Sequence, residues 1–290
     1  MYSALARLSE LGELELLREL ERRRLVSGLD AEGALLPEGR VVTQDSLVEG
    51  VHFRLRWTSW RDLGYKAAAV NLSDLAAMGA EPEGLLVSLA VPADQDADAV
   101  FELYEGLNEP GVPIIGGDTT ASEAAAVTVT AVGRSERVPG RSGARPGDRL
   151  VVTGPLGAAA AGLHALEQEL QGFEELVERQ RRPPLRLAEG RALATIAHAM
   201  VDLSDGLLRD AQRIAERSGC RLVIDVERVP QDTRVAEVAN LPFWTMGEDY
   251  ELLAALAPEA AEASAFQVVG LVEEGSGVEP DPQGWDAFEG

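Results

Sequence analysis

Apolar positions along the chain recur in two alternating rhythms, one helical and one extended. Within residues 9–24, Leu11, Leu14, Leu17 and Leu20 share one side and Glu and Arg fill the others, which predicts an exposed amphipathic helix. A glycine-containing break at 27–33 leads to a short strand near 40–44. Residues 62–80 (DLGYKAAAVNLSDLAAMGA) are rich in small side chains and predict a helix that lies close against a sheet. The run 84–91 is continuously apolar and stops at Pro92, as a buried strand does. Helix 96–107 and strand 112–115 follow, and 124–132 alternates Val with Thr in the manner of a further strand. Residues 135–148 concentrate Pro, Gly, Ser and Arg and read as a linker. Beyond it come a strand at 149–153, an Ala-rich helix from Gly157 and a long helical stretch toward Met200. An amphipathic helix at 205–217 and strands at 221–226 and 267–272 complete the pattern. The alternation predicts an α/β (α+β) chain of two domains, 1–137 and 138–290, with no internal repeat.

Charge narrows the partners. The chain of 290 residues has 26 basic and 49 acidic side chains, a net charge of −23. Such a surface repels nucleic acid and anionic membranes, so neither is an expected partner. A phosphorylated ligand would need cations beside it, which makes a divalent metal an early hypothesis. A lone cysteine, Cys220, excludes an internal disulfide and a cysteine-built zinc site, and it reads as a buried structural thiol. The first 24 residues lack the apolar core of a signal peptide and no segment has about 18 uncharged apolar residues, so the expected location is cytoplasmic.

The placement of the aspartates is more informative than their number. Asp45 ends RVVTQD, Asp118 ends VPIIGGD, and Asp202 and Asp205 bracket VDLSDG ahead of an amphipathic helix. Each has an ordinary reading as a helix cap or an Asx-turn. Asp74 resists that reading, because Leu72, Leu75, Ala76 and Ala77 surround it and a buried carboxylate without a partner is costly. Strand-end carboxylates meeting at one place would form an oxygen-rich site for Mg²⁺. Gly116-Gly117 before Asp118 allows close approach of backbone to a phosphate, a weak signal by itself. No P-loop or H-E-x-x-H motif occurs, and the three histidines are scattered.

Six blocks in order sharpen this reading: LVEGVHF (47–53), YKAAAVNLSDLAAMGA (65–80), IIGGDTT (114–120), RSGARPGD (141–148), VDLSDGL (201–207) and GEDYEL (247–252). Together they resemble the thiamine-monophosphate kinase family, part of the superfamily that includes aminoimidazole ribonucleotide synthetase and selenophosphate synthetase. The resemblance implies ATP-dependent phosphorylation of thiamine monophosphate to thiamine diphosphate without a phosphoenzyme. It also implies an N-terminal domain whose sheet pairs with that of a second copy in a homodimer, and a C-terminal α/β domain. By the same resemblance several Mg²⁺ ions would be held by Asp45, Asp74, Asp118, Asp202 and Asp205, with Glu32, Thr43 and Gln44 at neighbouring metal positions. Tyr104, Gly117, Asp118, Arg141 and Ser204 would meet ATP. His52, Glu248 and Trp285 would meet thiamine phosphate. The chain departs from the family's G-x-G-D-D, which stands here as Gly28-Leu29-Asp30-Ala31-Glu32, and Gln44 replaces a usual Thr. A degenerate homologue that binds nucleotide or thiamine phosphate without turnover is the alternative those departures raise.

Overall fold

The structure, a computed structural model, describes residue 8 and residues 12–281. After helix α1 (Glu13–Arg22), the first half of the chain supplies β1 (Ala34–Leu35), β2 (Arg40–Val48), α2 (Trp60–Ala77), β3 (Glu81–Val91), α3 (Ala97–Asn108), β4 (Ile114–Ala121) and β5 (Ala126–Arg134). These strands form a sheet of order β1-β2-β5-β3-β4, antiparallel except for β3 and β4, which run parallel. That pair needs a crossover, and α3 provides it.

Helix α2 is the central beam. Ser59 caps it by accepting from the Asp62 amide, and almost every residue from Leu63 to Ala77 is buried. Its small side chains allow neighbours to approach backbone to backbone. A Cβ on Gly64 would meet the Leu103 carbonyl oxygen at 1.9 Å, and one on Gly106 would meet that of Arg61 at 1.9 Å. Against the inner face of the sheet, α2 packs on Val41, Leu85, Leu89, Val127 and Val129. The alternation of β5 is the visible consequence: Val127, Val129 and Ala131 point inward, whereas Thr128 and Thr130 stay partly exposed.

The second half carries β6 (Arg149–Val152), α4 (Ala158–Glu167), α5 (Glu174–Arg181), α6 (Leu187–Ala194), β7 (Ala199–Asp202), α7 (Leu207–Ser218), β8 (Arg221–Ile224), α8 (Val235–Val238), β9 (Leu252–Leu256), α9 (Pro258–Ala263), β10 (Gln267–Glu273) and β11 (Gly277–Glu279). Its sheet has the order β11-β8-β10-β6-β9-β7. Ala76 and Ala77 of α2 share a core with Val151, Leu193, Met200, Leu252 and Ala254, so the two halves meet through α2.

The long helical stretch expected toward Met200 is broken. Pro183 and Pro184 follow α5, and proline cannot continue a helix without losing a hydrogen bond. The residues AMVD then form β7, paired with β9, LLAAL. Ala-rich segments have helical propensity, but both strands are fully buried in the sheet, and tertiary pairing overrides propensity there. Cys220 is buried, as expected from its apolar strand.

Candidate active site

A cavity of about 1100 Å³ lies between the halves, walled by β2, α2, the 28–34 segment and the turns at 204–205 and 246–250. Three carboxylates from three distant stretches converge at it. One oxygen each of Glu32, Asp74 and Asp202 lies within 4.8 Å of the others. The NLSD segment of α2 builds this arrangement. Asn71 accepts from the Asp45 amide (3.0 Å) and takes the Thr43 hydroxyl on its carbonyl (3.2 Å), which pins β2 to α2. Two residues on, the Ser73 hydroxyl donates to Asp202 Oδ2 at 2.8 Å. Asp74 then looks into the space between them.

Unneutralised, this cluster opposes its own ionisation. Burial raises the Asp74 carboxyl well above the usual carboxylate range, and the charges of Asp45, Asp202 and Glu32 raise it further. Burial and the Glu32 charge push Asp202 up to about 8, partly offset by the Ser73 hydrogen bond. Arg141 pairs with Glu32 through two nitrogens. Asp205 pairs with Arg213, and its amide donates to the Asp210 carboxylate at 3.0 Å. Asp205 does not cap α7; Gly206 occupies that position.

Two motif turns are zipped together behind the cavity. The Glu248 amide donates to the Ser204 carbonyl (2.8 Å), the Tyr250 amide to that of Leu203 (2.9 Å), and the Leu203 amide to that of Glu251 (2.8 Å). Gly206 and Gly247 make the contact possible. Both have positive φ (106° and 85°), and a Cβ on either would strike a carbonyl oxygen at 2.1 or 2.3 Å. Glu248 and Tyr250 also hold left-handed backbone, at φ 62° and 50°, a strain that persists only where surroundings enforce it. Here they do: the buried Asp249 accepts from the Gly157 amide (2.8 Å), and Arg186 grips the buried Glu251 at 2.6 Å through two nitrogens.

Glu248 faces the cavity and is bound at 2.6 Å by Lys66, which α2 buries completely. His52 lines the same region; its Nδ1 accepts from the Val48 amide at 3.1 Å. Burial lowers its pKa, with the Glu248 charge acting against this, so the neutral ring with its proton on Nε2 is favoured. The residues missed by sequence reading, Lys66, Asp210, Arg213 and Glu251, are charges inside apolar or amphipathic runs. Lys66 carried a signal: it is the single lysine of the chain, set among alanines.

Of the expected site residues, Glu32, Thr43, Gln44, Asp45, Asp74, Arg141, Ser204, Asp205, His52 and Glu248 line the cavity, with Asp202 buried at its wall. Gln44 nevertheless turns away from the acidic cluster, accepting from the Thr130 hydroxyl (2.8 Å) on the outer sheet face. Tyr104, Gly117 and Asp118 do not line the cavity. The register explains this: Ser46 pairs with Thr128, Thr128 with Ser88, and Ser88 with Asp118. Three inter-strand steps separate Asp118 from Ser46, roughly 14 Å at the usual spacing. Trp285 lies outside the described residues.

The chain matches two family models, AIR synthase related protein N-terminal domain over residues 30–135 and C-terminal domain over residues 145–278. It is 34% identical to the thiamine-monophosphate kinase of Aquifex aeolicus (strain VF5), covering 97% of this chain and 100% of that protein. To the thiamine-monophosphate kinase of Salmonella typhimurium it is 39% identical over 83% of this chain and 81% of that one. Among solved structures, AaThiL complexed with AMPPCP and TMP superimposes with a TM-score of 0.91 at 33% identity, covering 98% of this chain and 99% of that one.

Proposed function

Because the chain belongs to the thiamine-monophosphate kinase family of AIR synthase-related proteins, we propose that it phosphorylates thiamine monophosphate to thiamine diphosphate at the expense of ATP. The observation that carries this reading is the convergence of Glu32, Asp74 and Asp202 at a cavity that His52 and Glu248 also line. The related AaThiL structure holds AMPPCP and TMP together, which fits one large site shared by nucleotide and acceptor.

The donor set suits Mg²⁺: carboxylate oxygens from three stretches of chain, with the Ser73 hydroxyl fixing the Asp202 carboxylate. Asp45 and Asp205 extend the set along the cavity. Bound there, Mg²⁺ would supply neutralisation of phosphate charge. The remaining work falls to the chain's own residues. Arg141 and Ser204 would contact ATP, while neutral His52 and the Glu248 carboxylate would offer a donor and an acceptor to the thiamine moiety. With the two substrates so oriented, an oxygen of the acceptor phosphate attacks the γ-phosphorus. The bond from that phosphorus to the β–γ bridging oxygen breaks, and ADP leaves. Phosphoryl transfer depends mainly on such positioning and charge neutralisation. A coupled assay with thiamine monophosphate and MgATP, with thiamine diphosphate separated chromatographically, tests the proposal. Tight binding of both substrates without product would favour the degenerate-homologue reading instead.

Assembly belongs to the same proposal. The outer face of the first sheet exposes Gln44, Ser46, Leu86 and Ser88, and Asp118 with its neighbours stands away from the cavity. A homodimer formed through this face would cover it and allow Gly117 and Asp118 to approach nucleotide in the other copy's cavity; Tyr104, packed on the core beneath the inner face, would have to reach nucleotide from the crossover helix. Light scattering at micromolar concentration is expected to give twice the chain mass; a monomer would contradict the arrangement. We place the domain boundary at 137/138, between the last strand of the first sheet and the first of the second. No helix among the described residues is long and apolar enough to cross a membrane; a cytoplasmic location is part of the proposal because ATP is the co-substrate.

A further inference from the structure

Lys66 carries an inference that rests on this functional reading and goes beyond it. Of 26 basic residues it is the single lysine, and α2 buries it to 1% exposure. An ammonium in that position is costly unless a partner is held against it. The partner is Glu248 Oε1 at 2.6 Å. Lys66 comes from the first half of the chain, and Glu248 from a turn in the second. The contact therefore ties the substrate wall to the central helix.

We propose that Lys66 is a positioning residue for the thiamine moiety: it fixes the Glu248 carboxylate so that one oxygen is occupied and the other is presented to the cavity. Three features of the turn fit this role. Glu248 holds left-handed backbone at φ 62°. Its flanks are anchored separately, by Asp249 on Gly157 and by Glu251 on Arg186. Its side chain retains 26% exposure, toward the cavity it lines. The backbone anchors place the residue, but only Lys66 makes a hydrogen bond to its side chain among the described residues. A glutamate without that bond would sample several rotamers, each with a different direction for its free oxygen. A charge-assisted hydrogen bond to one oxygen removes that freedom. The group recognised would be a hydrogen-bond donor next to a cationic ring, which thiamine supplies as an aminopyrimidine beside a thiazolium.

The test is a double-mutant cycle on the full-length protein with Lys66→Met, Glu248→Gln and the combined variant, assayed for product with each substrate varied. Lys66→Met is expected to raise KM for thiamine monophosphate about tenfold, the scale of one charge-assisted hydrogen bond, and to leave KM for ATP within about twofold. In the Glu248→Gln background the same change should add little, because Lys66 acts through Glu248. Additive losses, or equal rises in both KM values, would overturn the proposal and make Lys66 a structural ion-pair partner only. Should Lys66→Met not accumulate as folded protein, Lys66→Gln, whose amide retains one donor, carries the same cycle with a smaller expected rise. Wild-type protein assayed in parallel separates the two claims. Failure of the wild type to make thiamine diphosphate refutes the functional reading, whereas an active wild type with an unaffected Lys66 variant refutes this inference alone.

Discussion

Asp74→Asn is expected to abolish turnover, by at least about a thousandfold, while leaving a folded protein that melts a few degrees higher in chelator than the wild type. The two effects have one cause. Asp74 stands at the meeting point of Asp45, Asp202 and Glu32, and burial together with those charges raises its pKa well above normal. Without a cation the ionised carboxylate is a net cost to the fold, so an amide of nearly the same shape relieves it. With substrates bound, the lost charge is a ligand no longer available to offset phosphate repulsion. Activity assays and thermal melts on the one variant read both. Wild-type turnover would return Asp74 to a structural role, and a lower melting temperature in chelator would mean the carboxylate is already satisfied by protein donors.

Removal of divalent metal is expected to lower ATP affinity by at least about a hundredfold, since a triphosphate would then face the acidic cluster directly. Calorimetry with and without chelator measures it, and equal affinities would exclude the metal-bridged reading. The metal-free protein also has a distinctive pH response. Asp202 is shifted from the ordinary 3.8 up to about 8 in the fold, so between those values the native state binds more protons than the unfolded chain. Stability in chelator should therefore fall as pH rises through this window, from about 4 to about 8. Saturating Mg²⁺ should flatten the slope, because ionised carboxylates become the favoured form. Melting temperatures that rise with pH across this window in chelator would contradict the placement of Asp202 beside Glu32.

Much of this protein was legible in its linear order. Periodicity located α2, α3, β3 and β5, because each sets a burial pattern that one element can satisfy: Val inward and Thr outward on β5, small residues along α2. The motif blocks held many of the cavity-lining residues: Asp74 within α2, Ser204 and Asp205 in the turn before α7, and Glu248 in the turn before β9. Asp74 stood out for a local reason: a charge among Leu72, Leu75 and Ala76 demands compensation wherever the chain goes. Other features had no local signature. AMVD and LLAAL are strands only because each pairs with the other in a buried sheet, and that pairing joins residues some fifty positions apart. The functions of Asn71 and Ser73 as clamps on Asp45 and Asp202 depend on contacts with β2 and β7. Gln44 is adjacent to Asp45 in sequence yet turns to the opposite sheet face, since successive strand residues alternate sides. The removal of Asp118 from the cavity is likewise a matter of strand order, which places β4 at the sheet edge. Local patterning was enough for most helices and strands of the first half, and for the residue types available to chemistry. Which of those residues share a site follows from the fold, because long-range strand pairing and the packing of α2 between two sheets set distances that no local pattern encodes.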